Sequence, residues 1–314
     1  MTKGRALITE SIHEVGLALL ALRGGVDVRL GLSEAELCGV IPAYDALIVR
    51  SQTRVTAAVI EAATRLRVIG RAGTGTDNID LEAASRRGIA IVNAPTANSV
   101  AAAEHTLGLL LAVARSIPRA DASLRAGEWR RDAFVGVELM GKTLGIVGLG
   151  RVGREVARRA RAFDMDVIAY DPHVDAAVAA SLGVSLAPLE GLLSRADVVS
   201  LHAPLTEATR GLIGRRELRQ MRPGAFLVNT ARGGLVDEDA LADALDAGHL
   251  GGAALDVFTG EPRPSERLTR HLKVVVTPHL GGSTVEAQAR ASMEVARAIL
   301  AVLRGDPSAA ATCR

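Results

Sequence analysis

Six polar side chains follow closely after apolar runs that are typical of buried strands, all in the second half of the chain. They are Asp171, His202, Arg232, Asp256, Glu261 and His279. Ligands of open parallel sheets bind outside the carboxyl ends of the strands. These six residues are therefore the first candidates for chemistry.

Three of the six form a set suited to proton transfer and carboxylate binding. His279 is the best candidate for a base, because histidine titrates nearest to neutral pH. Arg232 offers a planar fork that can hold a carboxylate through two hydrogen bonds. Glu261 can accept a hydrogen bond from the far imidazole nitrogen, fix its tautomer and stabilise the imidazolium. Taken singly they could be a surface turn, a loop acid and a strand-end histidine, but their common position after strands of one domain favours a catalytic set.

A glycine turn between two strands indicates the cofactor. The apolar run 143–147 leads into the G-x-G-x-x-G turn of residues 148–153, then into a helical stretch and the strand 167–170. This order predicts a dinucleotide-binding unit. Gly148 permits the tight turn, Gly150 lets the backbone approach a pyrophosphate, and Gly153 lets the helix lie close to the strand. The free N–H groups of the helix N-terminus then face the phosphates.

Two acidic residues refine the choice of nucleotide. Asp171 is placed to accept hydrogen bonds from a ribose diol, and its charge would repel a 2′-phosphate, which favours NAD over NADP. Asp256 can hold the nicotinamide carboxamide. Two alternatives stay open: a glycine turn that binds no ligand, and a methyltransferase, which also places an acid after its second strand.

The order of strands and helices predicts two α/β domains. Residues 5–95 alternate strand and helix patterns and form a small unit with its own parallel sheet. The last helix, 284–303, is expected to pack back onto this unit and make it discontinuous. Helix 100–116 is apolar on nearly every face, which favours burial between domains or in a subunit interface. The predicted domains are a substrate-binding domain of residues 1–95 and 282–314, and an NAD-binding domain of residues 96–281.

Composition narrows the class of protein. The net charge is only +2 and aromatic residues make up 2% of the 314 residues, so a base-stacking nucleic-acid surface is not expected. No apolar run reaches the roughly 18 residues of a membrane span, and the first ten residues predict a strand rather than a signal peptide. Cys38 and Cys313 lack metal or redox spacing. We therefore expect a cytoplasmic protein that binds no metal, nucleic acid or membrane.

Three segments resemble the D-isomer-specific 2-hydroxyacid dehydrogenase family. They are NTARGG at 229–234, GAALDVF at 252–258 with Glu261-Pro262, and TPHLG at 277–281. RAGTG at 71–75, and Asn98 leading into AAE at 102–104, are particularly similar to members that act on D-3-phosphoglycerate. The resemblance covers residues 5–305. It implies an α/β fold of two Rossmann-like doubly wound parallel-sheet domains, the substrate domain being discontinuous, and a homodimer built on the cofactor domain.

The resemblance also assigns roles. The catalytic Arg, Glu and His of the family fall on Arg232, Glu261 and His279. With the glycine turn and the neighbouring strand ends, the predicted cofactor contacts are Thr74, Gly148, Gly150, Arg151, Val152, Gly153, Asp171, His202, Ala203, Pro204, Thr230, Ala231, Arg232, Asp256, His279, Gly281 and Gly282.

A phosphorylated substrate needs positive charge beyond Arg232, because a phosphate carries nearly two charges at pH 7. Arg50, at the end of a strand, suits this need, although it could also be a solvated loop cation. Arg131 matches a basic position that the dimer arm of the family brings to the neighbouring active site, and backbone N–H groups of Gly73 to Gly75 could hold the carboxylate. The predicted substrate contacts are Arg50, Ser51, Gly73, Gly75, Asn98, Arg131, Arg232 and Gln288.

These features predict NAD-dependent oxidation of D-3-phosphoglycerate to 3-phosphohydroxypyruvate, the entry to serine synthesis. The runner-up is an NAD(H)-dependent reductase of an unphosphorylated 2-oxo acid such as glyoxylate or hydroxypyruvate. A third hypothesis is a dinucleotide-sensing binding protein, because the fold of the family also serves as a transcriptional corepressor. Many relatives carry C-terminal regulatory domains where serine binds. The sequence ends soon after the last catalytic helix, so inhibition at such a domain is not expected.

Overall fold

The computed structural model, which describes residues 4–22 and 24–306, contains two β-sheets in which all strands are parallel. The chain divides into two units: the first comprises the residues up to Asn98 and those from Gly282 onward, and the second is Ser99–Gly281. The predicted boundaries were 95/96 and 281/282, so the first lies three residues away from the unit boundary. Cys313 and the end of the predicted substrate-binding domain, residues 307–314, lie outside the described residues.

The first unit is built on a five-stranded sheet. Its strands are β1 (Arg5–Ile8), β2 (Gly25–Val28), β3 (Ala46–Val49), β4 (Val68–Arg71) and β5 (Ala90–Asn93), and its helices are α1 (Glu14–Ala21), α2 (Glu34–Val40), α3 (Ala57–Ala62), α4 (Leu81–Arg86) and α13 (Val285–Arg304), with a 3₁₀ turn at Ile41–Ala43. The strand order is β2-β1-β3-β4-β5. This is the flavodoxin-like order, whose direction reverses between β1 and β3. Arg50 follows β3, so it lies at this switch point.

Helices cover both faces of the first sheet, because alternate residues of a strand point to opposite faces. Leu7, Leu47 and Ile69 pack with residues of α2, α3 and α4. Ile8 and Ile48 pack on the other face with residues of α1 and α13. The predicted return of the last helix to the N-terminal unit is therefore present.

The second unit is built on a seven-stranded sheet. Its strands are β6 (Thr143–Val147), β7 (Asp166–Tyr170), β8 (Ser185–Leu186), β9 (Val198–Leu201), β10 (Phe226–Asn229), β11 (Gly252–Leu255) and β12 (Val274–Val276); its helices are α5 (Ser99–Ala114), α6 (Ile117–Arg125), α7 (Arg151–Arg161), α8 (Ala176–Ser181), α9 (Leu189–Leu193), α10 (Arg215–Gln220), α11 (Glu238–Asp246) and α12 (Glu266–Thr269), with 3₁₀ turns at Arg131–Phe134 and Gly233–Leu235. The strand order is β12-β11-β10-β9-β6-β7-β8. The first six strands in chain order, β6 to β11, are arranged as β8-β7-β6-β9-β10-β11. This is the Rossmann order, whose direction reverses between β6 and β9. The two parallel sheets confirm the predicted fold class.

Helix α5 is largely buried, and it packs against α7, β10 and β11 of its own unit. Its burial between domains or in a subunit interface stays a prediction. The following segment, for which the sequence predicted no element, contains a second helix. Helix α6 forms there with no buried residue. Among the described residues no single helix is long and apolar enough to cross a membrane, although α5 and α6, bent by 61° at their junction, would pass together by length and composition.

Candidate functional site

The glycine turn after β6 has the geometry of a nucleotide cradle. Gly148 has φ +96°, and a Cβ there would lie 2.7 Å from the backbone nitrogen of Ala203 in the loop after β9. Gly150, the residue before α7, would place a Cβ in open space, with nothing within 4 Å. The first N–H groups of α7 have no partner within their own helix. The turn therefore leaves room for a phosphate against a helix N-terminus.

Asp171 is fixed beside this turn. Its Oδ2 accepts a hydrogen bond from the backbone N–H of Leu149 at 2.8 Å, and its Oδ1 accepts one from the N–H of His173 at 2.9 Å. Because each carboxylate oxygen has more than one lone pair, the side chain can still accept hydrogen bonds from a ribose diol. The residues present therefore fit a dinucleotide without a 2′-phosphate.

His202 follows β9, in the loop that lies against Gly148. Its Nε2 lies 2.8 Å from the hydroxyl of Ser200. Burial lowers the pKa of His202 to about 4. This histidine is therefore uncharged at neutral pH, which leaves His279 as the better candidate base of the two.

The candidate base and its orienting acid are in hydrogen-bond contact. His279 Nδ1 lies 2.9 Å from Glu261 Oε2, and Glu261 Oε1 accepts the backbone N–H of Phe258 at 2.9 Å. Burial alone would raise the pKa of Glu261, but the hydrogen bonds from His279 and Phe258 lower it below its ordinary value. Glu261 is therefore ionised at neutral pH and favours the tautomer of His279 that carries its proton on Nδ1. The Nε2 atom of His279 is then free to accept a proton from a substrate.

Arg232 lies in a turn that is braced from inside the sheet. Asn229, buried at the end of β10, donates from Nδ2 to the carbonyl of Arg232 at 2.9 Å and accepts the N–H of Ala231 at 3.1 Å. The guanidinium donates from Nη1 to the carbonyl of Ala231 at 2.7 Å. The neighbouring Thr230 hydroxyl lies 2.7 Å from that of Thr106 on α5. The half-buried cation is thus held by its own turn rather than by a long flexible loop.

Asp256 lies behind the loop that carries His279, with only 1% of its side chain exposed. It accepts hydrogen bonds from the Thr277 hydroxyl at 2.6 Å and from the backbone N–H groups of Leu280 and Gly281 at 2.7 and 2.8 Å. His105 Nε2 lies 3.2 Å from the same carboxylate. Burial by itself would raise the pKa of Asp256, but the hydrogen bonds from His105, Thr277, Leu280 and Gly281 lower it below its ordinary value. Asp256 is therefore a buried anion that organises the loop.

The first unit brings Arg50 and Gln288 together. Both line a small cavity of about 10 Å³ that also contacts His13 and Ser292. Glu10, at the end of β1, accepts the N–H groups of Arg50, Gln52 and Thr53 at 2.8, 3.1 and 2.8 Å. This carboxylate fixes the loop after β3, on which Ser51 is exposed.

The loop after β4 is fixed by the strand end beside it. Asn93 donates from Nδ2 to the carbonyl of Thr74 at 2.6 Å, and the Ala94 N–H donates to the Gly73 carbonyl at 2.9 Å. The Thr74 hydroxyl donates to Oδ1 of Asn98 at 2.7 Å. These hydrogen bonds join Gly73 and Thr74 to the segment that ends at Asn98. Gly282 lies against Asn98, where an added Cβ would be 3.2 Å from its Nδ2.

Comparison with known proteins identifies the family. Residues 107–281, more than half of the chain, match the model of the D-isomer specific 2-hydroxyacid dehydrogenase, NAD binding domain. The chain belongs to this family. The match confirms the family and the NAD cofactor predicted from the sequence.

Among curated relatives, the chain is 51% identical over 313 residues to D-3-phosphoglycerate dehydrogenase 2, chloroplastic, of Arabidopsis thaliana, covering 99% of this chain and 50% of that protein. It thus spans about half the length of this relative. Among solved structures, the TT0316 protein from Thermus thermophilus has a TM-score of 0.89 and 40% identity, covering 96% of this chain and 97% of its own. A glyoxylate reductase from Paecilomyes thermophila has a TM-score of 0.88 and 33% identity, covering 97% of each chain.

The structure sorts the predicted contacts of this family member between the two units. The second unit carries them on the loops after six strands, in the first turn of α7 and in one 3₁₀ turn: Gly148 and Gly150 after β6, Arg151, Val152 and Gly153 in α7, Asp171 after β7, His202, Ala203 and Pro204 after β9, Thr230, Ala231 and Arg232 after β10, Asp256 and Glu261 after β11, His279 and Gly281 after β12, and exposed Arg131 in the turn Arg131–Phe134. The first unit carries Arg50, Ser51, Gly73, Thr74, Gly75, Asn98, Gly282 and Gln288.

Glu10, His105 and Thr277 are among the residues of these clusters that were not predicted. Glu10 follows β1, and asking which polar residues follow the strands of the first unit would have found it. His105 and Thr277 meet at Asp256, although they are far apart in the sequence. A charged or polar pair such as Glu104-His105 inside an apolar helix was the available signal for His105.

Substitution of Gly150 tests the nucleotide cradle. Gly150→Ala is expected to weaken NADH binding at least about tenfold, because the added methyl group takes the space that a pyrophosphate needs. Its free energy of unfolding should change by no more than about 1 kcal/mol, since nothing contacts the new Cβ. NADH fluorescence titration and urea unfolding measure the two effects.

Gly148→Ala is the matched control. At φ +96° and 2.7 Å from Ala203, it should lower the free energy of unfolding by about 1–3 kcal/mol. Parent-like NADH affinity in Gly150→Ala would contradict the cradle.

Proposed function

We propose that this protein is an NAD-dependent D-2-hydroxyacid dehydrogenase that oxidises D-3-phosphoglycerate to 3-phosphohydroxypyruvate, the entry to serine synthesis. The observation that carries the reaction type is the hydrogen bond of 2.9 Å between His279 and Glu261 in a domain of the 2-hydroxyacid dehydrogenase family. The D-3-phosphoglycerate dehydrogenase to which most of the chain is similar supports the substrate.

The roles of the chain's own residues follow from their contacts. When bound, NAD supplies the hydride acceptor for C2 of the substrate. His279 takes the hydroxyl proton at Nε2, because Glu261 occupies its Nδ1. Glu261 stabilises the imidazolium that results. Arg232 holds the substrate carboxylate with two parallel hydrogen bonds.

Arg50 is proposed to bind the phosphate. It lies at the switch point of the first sheet, where ligands of this topology bind. Its backbone is fixed on both sides, by Glu10 at its N–H and by Asn78, whose Nδ2 donates to the Arg50 carbonyl at 2.8 Å. The Gly73 N–H, one of the predicted carboxylate donors, donates to the Arg71 carbonyl at 2.8 Å. The proposed carboxylate donors of the first unit are therefore the N–H groups of Thr74 and Gly75, on the loop after β4.

Arg50→Ala separates the phosphorylated substrate from its runner-up. The efficiency kcat/KM for D-3-phosphoglycerate should fall about 10- to 150-fold, because hydrogen bonds to a charged group are worth about 1.5–3 kcal/mol. The efficiency for D-glycerate should change less than about threefold. NADH formation measured with both acids, beside D-lactate, gives the comparison.

Arg54→Ala, an exposed cation four residues further on, is the control and should leave both efficiencies near the parent values. If the parent enzyme prefers unphosphorylated acids and Arg50→Ala leaves both efficiencies unchanged, the function moves to a reductase of glyoxylate or hydroxypyruvate. The likeness to a glyoxylate reductase at 33% identity favours that second candidate. NADH binding with no turnover on any acid would favour the dinucleotide-sensing protein.

We also propose that the protein is cytoplasmic and forms a homodimer through its second unit. Large apolar side chains are exposed along residues 117–140: Ile117 by 51%, Leu124 by 57%, Trp129 by 76%, Val135 by 87% and Met140 by 68%. An exposed apolar patch of this kind is typical of a protein interface, and Arg131 lies within it. Sedimentation equilibrium should give about twice the chain mass of 32.7 kDa; the mass of a single chain at all concentrations would contradict the dimer.

A further inference from the structure

His105, on the buried helix α5, is hydrogen-bonded to Thr277 and Asp256, which precede the candidate base in the sequence. Its Nε2 lies 2.9 Å from the Thr277 hydroxyl and 3.2 Å from Asp256 Oδ1. The Thr277 hydroxyl in turn donates to the same carboxylate oxygen at 2.6 Å. Since that hydroxyl proton is used on Asp256, Thr277 accepts from the imidazole. The Nε2 of His105 therefore carries a proton and donates to both neighbours.

Asp256 controls the backbone on both sides of His279. Its carbonyl accepts the N–H of His279 at 2.8 Å, and its carboxylate accepts the N–H groups of Leu280 and Gly281. His279 itself has φ +57°, in the left-handed region that side-chain-bearing residues rarely adopt. Such a conformation persists only where surrounding contacts impose it. These three N–H groups are the contacts that impose it here.

The three residues thus link a rigid helix to the strained loop. His105 orients the Thr277 hydroxyl and one oxygen of Asp256, and the direction of that carboxylate decides whether it can reach Leu280 and Gly281. Without a donor at position 105, Thr277 and Asp256 lose the hydrogen bonds that join their side chains to α5. The carboxylate can then rotate, and the loop loses its fixed acceptor.

We propose that His105 is a positioning residue, which sets the backbone of His279 through Thr277 and Asp256 and so keeps Nε2 of the base aimed at the substrate. The kinetic part of this inference rests on the proposed dehydrogenase function. The structural part concerns only the order of the loop from His279 to Gly281 and stands independently of turnover.

The test compares His105→Leu with His105→Gln. Leucine fills a similar volume without a donor, whereas the side-chain amide of glutamine can place an N–H near the position of Nε2. Amide hydrogen exchange of the peptides covering residues 278–284 is measured on both variants and the parent. His105→Leu should lose protection there at least about tenfold, and His105→Gln should retain most of it.

Kinetics supply the second readout. His105→Leu should lower kcat about 5- to 30-fold, with KM for the acid and the NADH dissociation constant within about threefold, and His105→Gln should restore at least half of the parent kcat. Unchanged exchange at 278–284 in His105→Leu would overturn the inference whether or not the enzyme turns over. A loss of kcat, NADH affinity and melting temperature together, not restored by glutamine, would also overturn it in favour of a merely structural residue.

A parent enzyme inactive on every acid would contradict the proposed function. The exchange experiment would still decide the role of His105 in the loop.

Discussion

His279→Ala is expected to lower kcat by about 10³-fold, while the NADH dissociation constant stays within about threefold of the parent value. A positioned acid–base group contributes about 10²–10⁴ to a rate. The imidazole is also accessible, with 45% of its side chain exposed, so its removal disturbs little of the packing. Steady-state turnover at high enzyme concentration and NADH fluorescence titration measure the two effects.

The hydrogen bonds of Glu261 make its amide the informative second variant. Each carboxylate oxygen accepts one hydrogen bond, one from the His279 imidazole and one from the Phe258 N–H. Glutamine has one acceptor and one donor, so Glu261→Gln cannot keep both contacts. We expect kcat to fall about 10- to 100-fold, less than in His279→Ala. Loss of NADH binding together with turnover in His279→Ala would count against a role in proton transfer.

The ionisation of Glu261 also predicts how its contribution to the stability of the folded protein changes with pH. Its pKa is lower in the folded protein than its ordinary value, so its favourable contribution is present above the ordinary carboxyl range. The contribution is lost as the pH falls through the lowered pKa. Around neutral pH the acid is ionised throughout, and turnover there should not depend on its titration. Oxidation of the alcohol releases a proton, so alkaline pH should favour it in vitro.

Local patterns in the sequence were sufficient to predict where candidate residues lie along strands. The rule that ligands bind at the carboxyl ends of parallel strands placed His279 and Glu261 near each other, and the structure has the hydrogen bond that this placement suggested. The same rule would have found Glu10 in the first unit. What it cannot supply is contact between remote elements: the meeting of His105 with Thr277 depends on how α5 packs across β11 and β12.

Helix α6 and strand β8 were not predicted, because each is too short to show a clear pattern in the sequence. Helix α6 has nine residues, of which only Ile117 and Leu124 are large and apolar, too few to show a helical period in the sequence. Strand β8 has two residues, too few for any alternation of apolar and polar positions. In contrast, β6 and β9 to β11 are buried along nearly their whole length, and their continuous apolar runs are the pattern of a parallel sheet covered on both faces.

Arg232 should show the second large effect. Removing both hydrogen bonds of its fork from a bound carboxylate is worth about 3–4 kcal/mol, so kcat/KM of Arg232→Ala should fall about 10²- to 10³-fold, with a raised KM. Arg232→Lys keeps the charge but should recover less than a tenth of the parent efficiency, because a single ammonium cannot present a planar fork. NADH binding should survive in both variants within about threefold.

Chemical rescue distinguishes loss of the Arg232 guanidinium from disturbance of the backbone turn that carries it. Asn229 braces the backbone around Arg232 through its own hydrogen bonds, so the alanine variant should keep the turn and leave space where the guanidinium was. Guanidinium ion added to Arg232→Ala should then restore part of the turnover, and the same salt should not stimulate Arg232→Lys. Unchanged kinetics in Arg232→Ala would remove this residue from substrate binding and shift carboxylate binding to the N–H groups of Thr74 and Gly75.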